Sequence, residues 1–183
     1  MPIQIIDTKL PDIKIIEPHI FPDERGYFFE SFNVKDFIQI DPTITFVQDN
    51  QSQSVKGVVR GLHYQLPPYA QAKLVRCLSG AIFDVAVDIR RSSSTFGQWV
   101  STVLSAENKR QLWIPIGFAH GFVSLTDTAE VFYKTSAHWN KASEASIRWD
   151  DPTLNVEWPI EIYPTLSPKD ALAPFLSDAF LFE

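Results

Sequence analysis

The chain has very little cysteine. Its 183 residues include one, Cys77, so no disulfide can form within the chain. Cys77 lies in the apolar run 74–78, where a small buried side chain is expected rather than a nucleophile. A reducing cytoplasm fits this composition best. Residues 1–7 have neither a basic lead nor a sustained apolar core, so no signal peptide is expected.

Long hydrophobic runs and concentrated basic segments are also missing. No stretch approaches the roughly eighteen unbroken apolar residues of a membrane helix, so we expect no membrane contact. The formal net charge is −6, and lysine and arginine are not clustered. This charge distribution argues against a nucleic-acid backbone as the main ligand. A few placed cationic side chains could still bind a small anion.

What the chain does contain is a succession of short strand patterns. Segments rich in β-branched and aromatic residues recur between turn residues. They cover residues 13–17, 26–32, 45–48, 73–78, 81–89, 98–104, 111–114, 120–125 and 129–135. Ser79 and Gly80 predict a hairpin between the segments 73–78 and 81–89. Helical patterns are confined to residues 34–40 and to the segment after Ser167, where a serine cap precedes a proline.

No internal repeat, linker or low-complexity tract divides the chain. We therefore expect one domain over residues 1–183. The strand patterns predict an all-β fold, a sandwich or a barrel of jelly-roll type, with a few short helices.

Two segments combine histidine and glycine, RGLHYQ at 60–65 and PIGFAHGF at 115–122. The second has the Pro-x-Gly-x-x-His spacing of cupin-type β-barrels. Metal-binding barrels of this type usually offer His-x-His followed by a glutamate, but the residue two after His63 is Gln65. We therefore expect no metal at this site, and we expect proton chemistry instead.

These segments and several others resemble the dTDP-4-dehydrorhamnose 3,5-epimerases, cupin-fold enzymes of nucleotide-sugar biosynthesis, along nearly the whole chain. The segments that carry the resemblance are FPDERGYFFE at 21–30, FVQDN at 46–50, RGLHYQ at 60–65, Lys73, PIGFAHGF at 115–122, Tyr133-Lys134, IRWDDP at 147–152 and LSPKD at 166–170. The resemblance implies inversion at C3 and C5 of dTDP-4-dehydro-6-deoxy-D-glucose without metal or cofactor, giving dTDP-4-dehydro-L-rhamnose. Both carbons flank the C4 ketone, so either deprotonation places negative charge on the same oxygen.

The resemblance also implies roles for individual residues. His63 matches the base, and Asp170 matches the carboxylate that orients it. Lys73 matches the cation that stabilises the enolate, with His120 as a second donor beside it. Tyr133 matches the acid, and strand alternation places it opposite Lys134, so that it can point into the barrel.

Further residues are implied in binding the nucleotide. They are Arg25, Glu30, Gln48, Asp49, Asn50, Arg60, Glu144 and Lys169, with Phe21, Phe28 and Trp139 as candidates to stack on thymine. The resemblance implies a homodimer with exchanged N-terminal strands, in which Arg25 or Glu30 could reach the partner's ligand.

Arg60 and His63 lead to a geometric prediction. Their separation is odd, so a regular strand would point them to opposite faces. If both reach the ligand, the strand must contain a bulge or kink near Gly61.

Three alternatives remain open from the sequence. The first is a relative that inverts only one of C3 and C5, or acts on another dTDP-4-keto sugar. The second is a non-catalytic cupin that binds a sugar nucleotide. The third, a metal-dependent oxygenase, is disfavoured by the missing ligand set. Two departures from the family pattern bear on the exact substrate: His138-Trp139 replaces paired tyrosines, and Gln51 replaces a histidine.

Overall fold

The computed structural model describes residues 3–160 and 163–183. The strands are β1 (Ile3–Asp7), β2 (Lys14–Pro18), β3 (Phe21–Asp23), β4 (Gly26–Phe28), β5 (Gln48–Val55), β6 (Val59–Gln65), β7 (Lys73–Ser79), β8 (Ala81–Asp88), β9 (Trp99–Ser105), β10 (Gln111–Ile114), β11 (Phe118–Ser124), β12 (Thr128–Thr135) and β13 (Glu144–Ser146). The helices are α1 (Val34–Phe37) and α2 (Pro168–Ala171). No helix in the described ranges is long and apolar enough to cross a membrane.

The strands form two large antiparallel sheets. One has the order β1-β2-β10-β7-β12-β5, the other the order β13-β6-β11-β8-β9, and β3 pairs with β4 as a separate hairpin. The prediction of an all-β jelly roll with a few short helices is confirmed.

The space between the sheets is filled by apolar side chains from both of them. Val75 and Val131 of one sheet belong to the same buried cluster as Ile82 and Phe122 of the other. The opposite face of β8 is buried as well, because it packs against the C-terminal segment that includes Leu176. A strand covered on both faces reads as a nearly continuous apolar run, as the segment around β8 does.

The predicted hairpin of β7 and β8 was wrong. Both strands exist, but β7 pairs with β10 and β12, whereas β8 pairs with β9 and β11. The chain crosses from one sheet to the other at Gly80, whose φ is +70°. A Cβ atom there would lie 2.2 Å from the carbonyl oxygen of Thr128. A connection that crosses between two sheets and a hairpin turn within one sheet both favour glycine. The local sequence therefore could not distinguish the two connections.

Several boundaries also differ from the predicted ones. Strand β5 runs from Gln48 to Val55, beyond the predicted segment 45–48, because its polar side chains alternate between a cavity and solvent instead of between core and solvent. Strand β4 ends at Phe28 and helix α1 at Phe37, earlier than predicted. The cap of α2 is as predicted: the Ser167 hydroxyl accepts a hydrogen bond from the Asp170 amide at 3.1 Å.

The predicted irregularity at Gly61 is confirmed. His63 lies opposite His120 and Arg60 opposite Phe122, so three residue steps on β6 match two on β11. Gly61 has a φ of +126°, which L side chains rarely adopt. The bulge turns both Arg60 and His63 into the same cavity.

Gly61 should not tolerate a side chain. A Cβ atom there would lie 2.5 Å from the Cα of Gly121, in addition to the unfavourable φ. We expect Gly61→Ala to lower the free energy of unfolding by about 3 kcal/mol or more, measured by denaturant titration. Gly57→Ala is the control, because Gly57 also has a positive φ but nothing within 4 Å of the added atom. It should cost only about 1–2 kcal/mol. Equal losses in the two variants would refute a contact effect at Gly61.

Candidate active site

A cavity of about 250 Å³ opens between the two large sheets. Its lining includes nine of the residues that the sequence assigned to a site: His63, Lys73, His120, Tyr133, Gln48, Asn50, Arg60, Trp139 and Glu144. Strands of both sheets contribute, with His63 on β6 facing Lys73 and Tyr133 on β7 and β12. A ligand in the cavity would therefore have titratable groups on two sides.

His63 is held by Asp170 from helix α2. The His63 Nε2 and the Asp170 Oδ1 are 2.5 Å apart, and the Ser167 hydroxyl donates to the other carboxylate oxygen at 2.9 Å. Burial alone would raise the pKa of Asp170, but the hydrogen bonds from His63 and Ser167 lower it below its ordinary value. An ionised Asp170 keeps the hydrogen of a neutral His63 on Nε2. The Nδ1 lone pair is then available to accept a proton.

Lys73 is a buried cation beside this pair. It is the first residue of β7, is 7% exposed, and donates from Nζ to the carbonyl oxygen of His63 at 3.1 Å. Burial lowers the pKa of Lys73 to about 8, although the charges of Asp84 and Glu144 partly oppose that change. Lys73 therefore places a positive charge in the cavity wall at pH values below about 8.

His120 has an acidic partner that the sequence assignment missed. Its Nε2 lies 2.7 Å from Oδ1 of Asp84, which is fully buried on β8. Burial lowers the pKa of His120, and the adjacent Asp84 opposes this only in part. Oδ2 of Asp84 has no hydrogen-bond partner among the described residues. The signal in the sequence was an aspartate within the apolar strand pattern of residues 81–89.

Tyr133 lies on the cavity side of β12, as strand alternation predicted. It packs against the buried cluster that contains Val131. Lys134 points the other way and bonds to Asp49 at 2.9 Å. Burial raises the pKa of Tyr133, opposed in part by the positive charge of Arg60. The phenol therefore keeps its proton at neutral pH and is able to donate it.

The charged residues predicted for the nucleotide have different surroundings. Arg60 donates from Nε to the Ser54 hydroxyl and from Nη2 to the carbonyl oxygen of Gln53, both at 2.9 Å. Glu144 and Lys169 form an ion pair at 2.5 Å, next to Asp170 on α2. Asp49 is on the opposite face of β5 from the cavity, where it bonds to Lys134.

None of the four predicted residues that precede β5 lines this cavity. Phe21, Arg25 and Phe28 are on the β3–β4 hairpin, where the Arg25 side chain is 90% exposed and pairs with Asp23. Glu30 follows the hairpin and accepts a hydrogen bond from Asn33 at 3.2 Å. Within one chain these side chains are not brought to the residues around His63.

No group of three histidine, cysteine, aspartate or glutamate side chains within residues 3–160 and 163–183 has an arrangement that could hold a metal ion. The sequence motif that would supply ligands in a metal-binding barrel offers an amide at Gln65 instead. That amide is buried and bonded to the backbone at Tyr69, His138 and Asn140.

Comparisons with known proteins agree along nearly the whole chain. The sequence model of the dTDP-4-dehydrorhamnose 3,5-epimerase family matches residues 7–178. The enzyme of that name from Salmonella typhimurium is 57% identical over 180 residues, covering 98% of each chain. The one from Shigella flexneri is 58% identical over 179 residues, covering 97% of this chain and 98% of the other.

A solved structure has the same fold as this chain. It is a dTDP-6-deoxy-D-glucose-3,5-epimerase from Legionella pneumophila in complex with dTDP-4-keto-L-rhamnose. Its TM-score is 0.93 at 52% identity, with 96% of this chain and 94% of that chain covered. The chain therefore belongs to the dTDP-4-dehydrorhamnose 3,5-epimerase family.

Proposed function

We propose that this chain inverts C3 and C5 of dTDP-4-dehydro-6-deoxy-D-glucose to give dTDP-4-dehydro-L-rhamnose. The observation that carries the proposal is the placement of a base and an acid on opposite walls of one cavity. His63 with Asp170 lies on the wall formed by β6, and Tyr133 lies on the wall formed by β12. Inversion of a carbon requires this arrangement, because the proton must leave one face of the sugar and return to the other.

In the first step, Nδ1 of His63 takes the proton from the carbon next to the ketone. The C–H electron pair becomes the enolate, and the negative charge moves to the ketone oxygen. Asp170 stabilises the imidazolium through the bond at Nε2. The Lys73 ammonium stabilises the enolate oxygen from within the cavity wall.

In the second step, the Tyr133 phenol gives its proton to the opposite face of the same carbon. The product is the inverted ketone, with a phenolate at Tyr133 and an imidazolium at His63. Exchange with water returns both side chains to their starting states, and His63 can take part directly because its side chain is 33% exposed. The same cycle at the second carbon uses the same oxygen and therefore the same groups.

We assign binding of the nucleotide to charged and polar side chains near the mouth of the cavity. Arg60 and Lys169 suit the diphosphate, because guanidinium and ammonium groups form charge-assisted hydrogen bonds with phosphate oxygens. Gln48 and Asn50 point to the cavity from β5 and suit the polar edges of the base and sugar. The roles assigned to Arg25, Glu30, Asp49, Phe21 and Phe28 remain predictions.

We also propose that the chain acts as a homodimer in the cytoplasm. The support for the dimer is the β3–β4 hairpin, because a two-stranded hairpin is marginal alone and this one exposes Phe21, Tyr27 and Phe28. In such a dimer the exposed Arg25 would serve the cavity of the partner subunit, as the family resemblance implies. A solution mass equal to one chain would contradict the dimer.

Deuterium incorporation tests the proposed reaction. The purified protein is incubated in D₂O with dTDP-4-dehydro-6-deoxy-D-glucose, and the sugar is followed by NMR. Deuterium at both C3 and C5 of an L-configured product is the expected result. Deuterium at a single carbon would favour the single-centre epimerase. Binding of the nucleotide without any exchange would favour the non-catalytic cupin.

A further inference from the structure

Residues 137–140, the rim loop, carry Trp139 at the mouth of the cavity. The backbone of this loop is held by the side-chain amides of three glutamines. We propose that Gln48, Gln65 and Gln71 form a clasp that positions Trp139, the residue for which the family resemblance implies stacking on the thymine of the dTDP-sugar. The identity of the base rests on the function proposed above.

The three glutamines bond to successive backbone groups of the loop. The Gln71 amide donates to the carbonyl oxygen of Ala137 at 2.7 Å. The Gln65 amide donates to the carbonyl oxygen of His138 at 3.2 Å, and its oxygen accepts from the Asn140 amide at 2.8 Å. The oxygen of Gln48 accepts from the Trp139 amide at 2.9 Å. Every residue of the rim loop is thus bonded to one of the three glutamines.

Gln65 is the central member of the clasp. Its side chain is 3% exposed, and it also donates to the carbonyl oxygen of Tyr69 at 2.6 Å. A carboxamide carries two donor hydrogens and an acceptor oxygen, so one side chain can bond to both backbone carbonyls and a backbone amide. Loss of the side chain would leave these backbone groups without their partner. Gln65 therefore links the rim loop to the segment around Tyr69 on the adjacent rim.

The Trp139 side chain is exposed, whereas the backbone that carries it is held. It is 57% exposed, which is high for a tryptophan. Its backbone amide is bonded to Gln48, and its side chain lines the cavity together with Glu144. Glu144 is in turn paired with Lys169. A loop whose backbone is already held loses little freedom when a planar ligand stacks on the indole, which favours binding.

The surroundings of Trp139 suit the stacking role that the family resemblance implies. An indole face accepts any planar ring, and stacking does not need a particular pattern of donors and acceptors. Gln48 and Asn50 both line the cavity, and the Gln48 side-chain amide donates to the side-chain oxygen of Asn50 at 2.9 Å. A pyrimidine base offers both a flat face and polar edges, so it fits this combination.

The affinity for dTDP, measured by calorimetry, tests the clasp without requiring turnover. Gln65→Met keeps a similar volume but removes the hydrogen bonds at the loop. We expect dTDP binding about tenfold weaker, with kcat at saturating substrate within about twofold of the wild type. Trp139→Ala should weaken dTDP binding by about tenfold or more.

A double variant separates positioning from a general loss of structure. If Gln65 acts through Trp139, adding Gln65→Met to Trp139→Ala should weaken dTDP binding by less than about twofold more. Additive losses would overturn the proposal. Gln71→Met removes one bond to the rim loop and serves if Gln65→Met does not fold, with an expected loss of about threefold.

Asn108 provides a matched control. Its side-chain amide donates to the carbonyl oxygen of Val103 and accepts from the amides of Ser105 and Arg110, in a turn outside the cavity lining. Asn108→Leu should leave dTDP affinity unchanged, and an equal loss there would also overturn the clasp. Absence of deuterium exchange in the wild type would count against the proposed function, whereas dTDP affinity would still decide the clasp.

Discussion

Replacement of His63 by alanine should lower kcat about 10³-fold, within the range of general base catalysis. The variant loses the only imidazole in the cavity that is bonded to Asp170. Affinity for dTDP should change by less than about threefold, because the imidazole acts at the sugar in the proposed mechanism. The measurement is deuterium incorporation at C3 and C5 under single-turnover conditions. A His63→Ala protein that exchanges either carbon at the wild-type rate would contradict the assignment of the base.

Asp170→Asn tests the same pair in a different way. An asparagine amide can donate to Nε2 of His63, which would move the imidazole hydrogen to Nδ1 and remove the lone pair that takes the proton. We expect kcat to fall about 10²–10⁴-fold, as for a wrong tautomer in other His-Asp pairs. The double variant should be no slower than His63→Ala alone, because the two residues act as a unit.

Asp88 supplies the control for loss of a buried aspartate. It is fully buried on β8, away from the cavity lining, and bonds to Arg90, Ser93 and Thr95. Asp88→Asn should cost about 3 kcal/mol of unfolding free energy while leaving the exchange rates unchanged. Equal exchange losses in Asp88→Asn and Asp170→Asn would indicate a structural effect and not a lost tautomer.

The sequence predicted most of what local patterns control. Alternation in β12 placed Tyr133 on the cavity side, and the odd separation of Arg60 and His63 required the bulge that occurs at Gly61. The serine cap of α2 located the element that carries Asp170. These features depend on neighbouring residues and on strand geometry, both of which can be read along the chain.

Features that depend on distant pairing could not be predicted in the same way. Gly80 fits a hairpin turn and a connection between two sheets equally well. The predicted pairing of β7 with β8 was therefore wrong. The contact between Asp84 and His120 joins residues on two strands whose adjacency appears only in the folded sheet. Polar strand β5 was largely missed because the cavity it lines does not exist until both sheets are in place.

Catalysis should also depend on the positive charge of Lys73, and its removal should cause the second large loss of kcat. Lys73→Met should lower kcat about 10²–10³-fold, the usual loss when a donor to a developing oxyanion is removed. Methionine keeps most of the length of the buried side chain and removes the charge, so the cavity wall retains most of its shape. The loss should appear in kcat more than in KM, since the cation interacts most strongly with the enolate.

The pH profile of the wild type distinguishes a charge effect from a packing effect. Burial favours the neutral amine and lowers the pKa of Lys73 to about 8, so the cation is present below that pH and is lost above it. We therefore expect kcat/KM, which reports the free enzyme, to fall as pH rises through about 8. The raised pKa of Tyr133 keeps the phenol protonated over this range.

Two variants test whether this fall in kcat/KM at high pH comes from Lys73. Asp84→Asn removes a negative charge that supports the Lys73 cation, so it should move the fall, the alkaline limb of the profile, about one unit to lower pH. Lys73→Met should abolish the limb, and a wild-type profile that stays flat to pH 10 would exclude Lys73 as the cation that the reaction requires.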